Sequence, residues 1–447
     1  MDFNLLAKNY INDAILDLKE LVKIPSVLDE FKPETNEPFG HYNRLALEKF
    51  LEIGNKLGFK TYNDNNYAGS LTYGECKESL GILGHLDVVP AVGTWTFGPF
   101  NPVIADGKMF GRGTLDDKGG VIASIYALKL LKDQGFVPNK KVEIIAGCDE
   151  ETGSRCLAHY LANNPSPTIA FSPDASFPVI YGEKGIMTFD ILGRVDNDEI
   201  ISFAGGLRYN IVIDYATLEV KNPKNEYIEK FNQENNLNCK LKDGIYHFYG
   251  KASHAMIPHE GINAAYIMFR FMDQYYKSNV SSLACRYFDD FGDKMGIRLH
   301  DDEMGDLTIN LGIANYQNGS LKLGFNLRVP RDNHKDVIEK GFKDAIRKYQ
   351  GLEMGEIHYA NSHFVAKDSF LVSSLVKSYQ EITNDYENQP FTIGGGTYAK
   401  AIKEAVAFGP CFPWRKDICH EPDEHIYIED LEKWIAIYAN AIYLLTK

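Results

Sequence analysis

The sequence predicts an α/β fold with a mixed, mostly parallel sheet, interrupted by an inserted α+β domain, and three observations point to it. The chain has 447 residues, too many for one ordinary domain of roughly 100–200 residues. From about residue 11 to 171, apolar positions at helical spacing alternate with short strand-like runs, the texture of a sheet whose strands are joined by helices. From about Met187 the texture turns to period-two strands mixed with helices, and it turns back after about Phe370. The expected division is an outer domain of residues 1–185 and 371–447 around an insertion of 186–370.

Element by element, Ile11, Ile15, Leu18 and Val22 recur at helical spacing, and Pro25 stops that helix because it disfavours helical geometry at Ile24. A second helix carries Ala46, Phe50, Ile53 and Leu57, closed by Gly58. An apolar run then ends at Leu83-Gly84. It is followed by a helix with Val121, Ile125, Leu128 and Leu131, a strand over Val142–Ala146 and another over Ile169–Phe171. Inside the insertion, Thr188–Leu192 and Leu321–Phe325 alternate with period two, whereas Ala264–Tyr276 and Val337–Tyr349 read as helices. The last stretch reads as helix, Gly-rich turn, short strand and a final helix from about Glu429.

Composition excludes several classes. At 44% hydrophobic and 24% charged, the chain is neither disordered nor collagen-like. Lys and Arg number 47 against 61 Asp and Glu, a net charge of −14, which disfavours a nucleic-acid surface. The N-terminus lacks a basic region ahead of an apolar stretch, and no run approaches the roughly 18 apolar residues of a membrane span. The seven cysteines are scattered without a C-x-x-C pair, which argues against a secreted disulfide framework and for the cytoplasm.

The chemistry lies in acids and histidines where strands end. His85-Leu86-Asp87 follows an apolar strand, and alternate residues share a face, so Asp87 can orient the His85 ring. Taken alone, the tripeptide reads better as a hydrogen-bonded His at a strand end. Asp116-Asp117, flanked by glycines, stands before a helix, where Asp117 reads as a cap. Glu150 and Glu151 follow the strand Val142–Ala146, and adjacent carboxylates suit a division in which one binds metal and the other moves a proton. Asp174 closes the next strand, and His420 precedes the last helix. His85, Asp116, Glu150, Glu151 and Asp174 are expected at strand ends or edges of one sheet, where open α/β sheets bind ligands. Two His and several carboxylates make a mixed N/O donor set suited to Zn²⁺ or Mn²⁺ in a two-metal site.

In this order the segments resemble the M20 metallopeptidase family, most closely its PepV-type dipeptidases. The matching stretches are Gly84–Pro90, Gly111–Gly119, Glu150–Gly153, Ser172–Asp174 with Gly182–Gly185, Gly250–Ala255, Ile393–Ala399 and His420. The resemblance implies a zinc-peptidase-like catalytic domain with an inserted lid. It implies a pair of divalent ions, with Asp116 bridging, His85 and Asp174 on one ion and Glu151 and His420 on the other. Glu150 would be the general base and Asp87 the partner of His85. His254 would donate to the oxyanion, Asn210 and Arg328 would hold substrate, and Gly394, Gly395 and Gly396 would present backbone N–H groups, with a left-handed turn as the alternative reading of those glycines.

The function so implied is a monomeric dipeptidase cleaving short unblocked peptides. Its rivals are another M20 amidohydrolase, acting on N-acyl amino acids or succinyl-diaminopimelate, and a non-catalytic metal-binding scaffold. The scaffold's expected mark, loss of Glu150 or of a ligand, is missing from the sequence. Two departures from the family pattern stand out: Gly120 occupies a place where proline is common, and the unusual setting of His420 makes His425 the fallback ligand.

Overall fold

The computed structural model describes residues 1–195 and 199–447 and divides into two compact units. The first comprises Met1–Gly182, Phe364–Phe391 and Gly396–Lys447; the second comprises Glu183–His363 and Thr392–Gly395.

The first unit is built on a mixed sheet whose strands run in the order Lys60–Asp64, Ala68–Tyr73, Lys141–Gly147, Ser79–His85, Ile169–Ser172, Ala405–Ala407 and Ile180–Glu183. The four strands from Lys141–Gly147 to Ala405–Ala407 are mutually parallel, and their flanks are antiparallel. Parallel strands are covered on both faces and read as unbroken apolar runs. Accordingly, every residue of Ser79–His85 is buried. The helix Lys118–Asp133 packs against the C-terminal helix Ile428–Thr446 and has thirteen of its sixteen residues buried, which explains why Gly, Ala and Ser replace charges on much of its surface. Helix His41–Lys56 ends as expected at Gly58: the Gly58 N–H donates to Asn55 O at 2.9 Å and the Phe59 N–H to Gly54 O at 3.0 Å, the paired bonds of a Schellman motif.

The second unit has an antiparallel sheet in the order Lys240–Lys242, Ile245–Tyr249, Tyr215–Val220, Ile200–Gly205, Thr308–Gln317, Ser320–Val329, Gly185–Arg194 and Leu352–Met354, with His358–Ala360 also pairing Gly185–Arg194. Helices Ala264–Tyr275 and Lys335–Ile346 contribute their apolar stripes to the core of this unit. The period-two segments pair directly, Phe189 opposite Phe325. Asn318-Gly319, both at positive φ, turn the central hairpin, the torsions that a two-residue hairpin loop demands.

The unit boundaries differ from the expected ones. Residues 364–370 fall in the first unit, and Thr392–Gly395 fall in the second rather than with residues 371–447. Hydrogen bonds account for the latter: Lys184 N–H donates to Ile393 O at 2.9 Å, Thr392 Oγ1 to Glu303 O at 2.9 Å, and Arg328 Nη1 to Gly394 O at 2.5 Å.

Candidate metal centre

The carboxyl ends of three parallel strands of the first unit supply His85, the last residue of its strand, and, in the loops that follow the other two, the pair Glu150 and Glu151, and Asp174. His85 is fully buried, and its Nδ1–H donates to the main-chain carbonyl of Asp87 at 2.9 Å. A carbonyl only accepts, so the proton belongs on Nδ1, and Nε2 of the neutral ring is left as a lone-pair donor. Asp87 thus orients the ring through its backbone; its Oδ1 lies at 3.5 Å from Nδ1. The Asp87 carboxylate is engaged elsewhere, where Oδ1 and Oδ2 accept the N–H groups of Glu150 and Glu151 at 3.0 and 3.1 Å. One residue therefore sets the place of the histidine and of both glutamates.

Asp116 is not at a strand end, contrary to expectation. It lies in the irregular stretch between strand Lys108–Phe110 and helix Lys118–Asp133. From there its two oxygens face two rings: Oδ1 is 2.9 Å from His85 Nε2 and Oδ2 is 2.9 Å from His420 Nε2. Asp174 Oδ2 stands 3.6 Å from His85 Nε2, and Glu151 Oε1 stands 3.2 Å from His420 Nε2. Two donor sets result, His85 with Asp116 and Asp174, and Asp116 with Glu151 and His420; within each, one donor atom per residue lies within 4.8 Å of the others. Glu150 belongs to neither set. His425 also stands apart: its Nδ1–H donates to Asp423 O at 2.8 Å, and its ring packs on Phe110.

The electrostatics fit cations. Burial opposes charge on His85, but Asp174, Asp116 and Asp87 outweigh it and raise the ring well above the ordinary imidazole value. Hydrogen bonds to Asp116 and Glu151 push His420 up to about 10. Burial would raise Asp116, yet His420 and His85 hold it well below the carboxylate range. Burial, opposed by His85 and reinforced by Asp116, pushes Asp174 up to about 7, and burial followed by Asp174 holds Glu150 well above its ordinary value. Protons and rings here balance a crowd of carboxylates. One imidazole and two carboxylates per set is a donor chemistry that suits Zn²⁺ or Mn²⁺.

The first acid of the run at 149–151 is different. Asp149 is fully buried and accepts Arg155 Nε and Nη2 at 2.7 Å each and Arg155 N–H at 3.0 Å, so it builds the turn. Asp117 is not the expected cap either: it makes no side-chain bond to the helix it precedes, and Oδ2 accepts His85 N–H at 3.2 Å instead. That approach explains Gly84 and Gly120. A Cβ on Gly120 would lie 2.2 Å from Asp117 Oδ1 and 2.5 Å from Pro173 O; one on Gly84 would lie 2.6 Å from Asp117 Oδ2. Gly to Ala inside a helix ordinarily gains about 1 kcal/mol. Gly120→Ala should instead destabilise by about 1–3 kcal/mol, the usual cost of overpacking, read as a lowered urea midpoint at unchanged slope.

In the second unit, Asn210 is exposed, and its carbonyl accepts Ala255 N–H at 2.9 Å while Ile211 bridges His254. Thr308, opposite Arg328 in the sheet, donates through Oγ1 to Ala255 O at 3.0 Å. Asn210, His254 and Arg328 are thus gathered around one backbone segment, and Arg328 reaches Gly394 as well. Met256 N–H donates to His254 Nδ1 at 3.2 Å, so the neutral ring carries its proton on Nε2. Burial and then Arg328 push His254 down to about 4. Between that value and an unfolded value near 6.5 the unfolded chain binds more protons, so this contribution to stability is complete above about pH 6.5 and is lost as pH falls towards 4. His254→Gln should therefore lose less stability than wild type over that interval in urea titrations of metal-free protein.

The glycine-rich turn departs from the left-handed reading. Gly394, Gly395 and Gly396 have no left-handed φ, and the turn opens only the short 3₁₀ segment Tyr398–Ala401. What Gly394 provides is room, since a Cβ there would stand 2.5 Å from Met256 Cβ.

The model of peptidase family M20/M25/M40 matches residues 81–444. The chain belongs to that family. Its M20 relatives include "Putative dipeptidase YtjP" of Bacillus subtilis (strain 168), 38% identical over 97% of either chain, and "Putative dipeptidase SH1171" of Staphylococcus haemolyticus (strain JCSC1435), 37% identical over 98% of either. Human carnosine dipeptidase 1 shares the M20 fold at 14% identity with a TM-score of 0.60, covering 99% of this chain and 98% of its own. The Saccharomyces cerevisiae dipeptidase Dug1p does so at 13% identity with the same TM-score and coverage.

Two buried groups beside the Asp116 loop of this M20 protein give little sign of themselves in the sequence. Glu424 is visible there only as one acid among several after His420, and Lys118 only as a charge beside the glycines. Lys118 is in fact buried, and its Nζ donates to Leu21 O at 3.0 Å and Ile24 O at 2.8 Å, closing the helix Ile11–Val22. A signal existed for it, a lysine at the head of the uncharged stretch Gly119–Leu128.

Proposed function

We propose that this M20 enzyme is a metal-dependent dipeptidase that hydrolyses the peptide bond of short peptides with a free amino group. The observation that carries the reading is the pair of three-donor sets sharing Asp116, with the carboxylate of Glu150 beside them and in neither. His85, Asp116 and Asp174 would hold one divalent ion, and Asp116, Glu151 and His420 the other, with Zn²⁺ the first choice and Mn²⁺ the second. Such a pair acidifies water and stabilises negative charge on a carbonyl oxygen.

The chain's own groups do the rest. Glu150 takes the proton of the attacking water and returns it to the departing amine, which requires a carboxylate free of ligand duty. His254, neutral with its proton on Nε2, donates to the oxygen of the tetrahedral species. Arg328 meets the peptide's carboxylate through Nη2, because Nε and Nη1 already donate to Asn326 Oδ1 and Gly394 O. Asn210 and the N–H groups of Gly394, Gly395 and Gly396 complete the hold on substrate, and residues 186–370 serve as the lid. All seven cysteines are free thiols, in keeping with a cytoplasmic protein, and no helix among the described residues is long and apolar enough to cross a membrane. The length of the insertion favours a monomer.

An assay of the Zn²⁺- or Mn²⁺-supplemented protein against dipeptides, tripeptides and N-acyl amino acids tests the reading. Dipeptides should be cleaved fastest by at least about tenfold, the discrimination that about 1.4 kcal/mol confers. Cleavage confined to the acylated substrates would overturn it in favour of an amidohydrolase.

A further inference from the structure

The loop that presents Asp116 is neither helix nor strand, yet it must hold one carboxylate between two rings. Its backbone N–H groups converge on a single side chain from the far end of the chain. Glu424 is completely buried, and its Oε1 accepts the N–H groups of Gly113 at 3.0 Å, Leu115 at 2.9 Å and Asp116 at 3.3 Å. Its Oε2 accepts Nη1 of Arg112, itself buried, whose guanidinium lies over the Trp95 ring and whose Nε and Nη2 find no hydrogen-bond partner among the described residues. The main chain joins in, since Gly111 N–H donates to Glu424 O at 2.9 Å. On the other side, Glu424 lies four residues beyond His420. Between them, Asp423 accepts Thr96 N–H and Oγ1–H at 2.7 Å each, and directly after it His425–Tyr427 pairs with Lys108–Phe110.

We propose that Glu424 is a positioning residue for the paired-donor centre: its carboxylate fixes the turn that presents Asp116 and fastens to it the segment that presents His420. The proposal rests on the reading of those donors as a metal centre. A carboxylate suits this role because both oxygens accept, one from three amides and one from a guanidinium. A carboxamide has one accepting oxygen, so a glutamine would turn its NH₂ either on the amides or on Arg112. Charge-assisted bonds of this sort are also the strong ones, and groups that hold ligands in place typically govern metal affinity by about 10- to 100-fold.

The test is calorimetric titration of the full-length, metal-stripped chain with Zn²⁺, well below the melting temperature, for wild type, Glu424→Gln and Glu424→Asp. The helical and sheet content of each protein is first checked by circular dichroism. Glu424→Gln should bind at least one of two Zn²⁺ ions about 10- to 100-fold more weakly, and Glu424→Asp, which keeps both acceptors on a shorter stem, should fall between. A role in stability alone would lower the melting temperature and leave the affinities of the folded protein as they were; that result overturns the proposal. Where Glu424→Gln does not fold, the aspartate variant decides in the same way. Failure of both to fold also overturns it, since Glu424 would then serve the fold as a whole. Wild type that takes up no Zn²⁺ defeats the metal-centre reading itself, whereas two ions bound equally well by wild type and variants defeats only the role of Glu424.

Discussion

Replacing Glu150 by Gln should lower kcat by about 10²- to 10⁴-fold, the span that a positioned general base contributes, while the protein keeps its full complement of divalent ions. The split follows from the geometry. Glu150 lies outside both donor sets, and its place is fixed through its backbone N–H, which donates to Asp87, so a change confined to the side chain leaves the ligands where they are. The substitution removes a carboxylate that would accept a proton without giving up a cation. Metal analysis of the purified variant together with its kcat on a dipeptide checks the result; unchanged turnover, or loss of metal in step with loss of activity, would reassign Glu150.

Asp116→Ala should have the opposite signature and a larger effect. Its two oxygens stand at 2.9 Å from His85 Nε2 and from His420 Nε2, so it is the one residue common to both sets. Its removal leaves each set with one imidazole and one carboxylate, fewer than the three protein ligands of an ordinary catalytic zinc site. Bound Zn²⁺ should fall from two ions per chain to less than one after dialysis, and hydrolysis should fall with it to background. Full retention of two ions would show that the shared carboxylate is dispensable and would break the paired-site reading. Asp174→Ala is the informative control, since it touches one set only and should cost one ion.

How much of this was legible in the sequence depends on what kind of contact carried the information. Helices and strands were written in local periodicity: Ile11 to Val22, Val121 to Leu131 and the alternation around Thr188 and Leu321 all became elements of the expected type, because burial selects residues every few positions. The donors were legible as acids and histidines following apolar runs. What periodicity could not convey was contact between distant segments. The carboxylate of Asp117 binds a strand rather than its own helix, the role of Asp87 is divided between its carbonyl and its carboxylate, and Glu424 reaches back to a loop some 310 residues earlier. Residue type alone likewise left the three acids at 149–151 equivalent, whereas burial and Arg155 commit the first of them to the turn. The left-handed reading of the glycines at 394–396 failed for a related reason: a glycine can be required by a neighbour's Cβ, as Met256 requires Gly394, with no unusual torsion of its own.

The position of strand Ala405–Ala407 has a consequence for how the enzyme is made. It inserts beside Ile169–Ser172 in the sheet, after more than two hundred intervening residues have been synthesised. Until it emerges from the ribosome, Ile169–Ser172 has an open edge, and an open edge is where nascent chains pair wrongly. His420 follows later still, so a nascent chain that stops short of it lacks one member of the second donor set. On the paired-site reading, hydrolysis waits until the segment that carries His420 has joined the other donors.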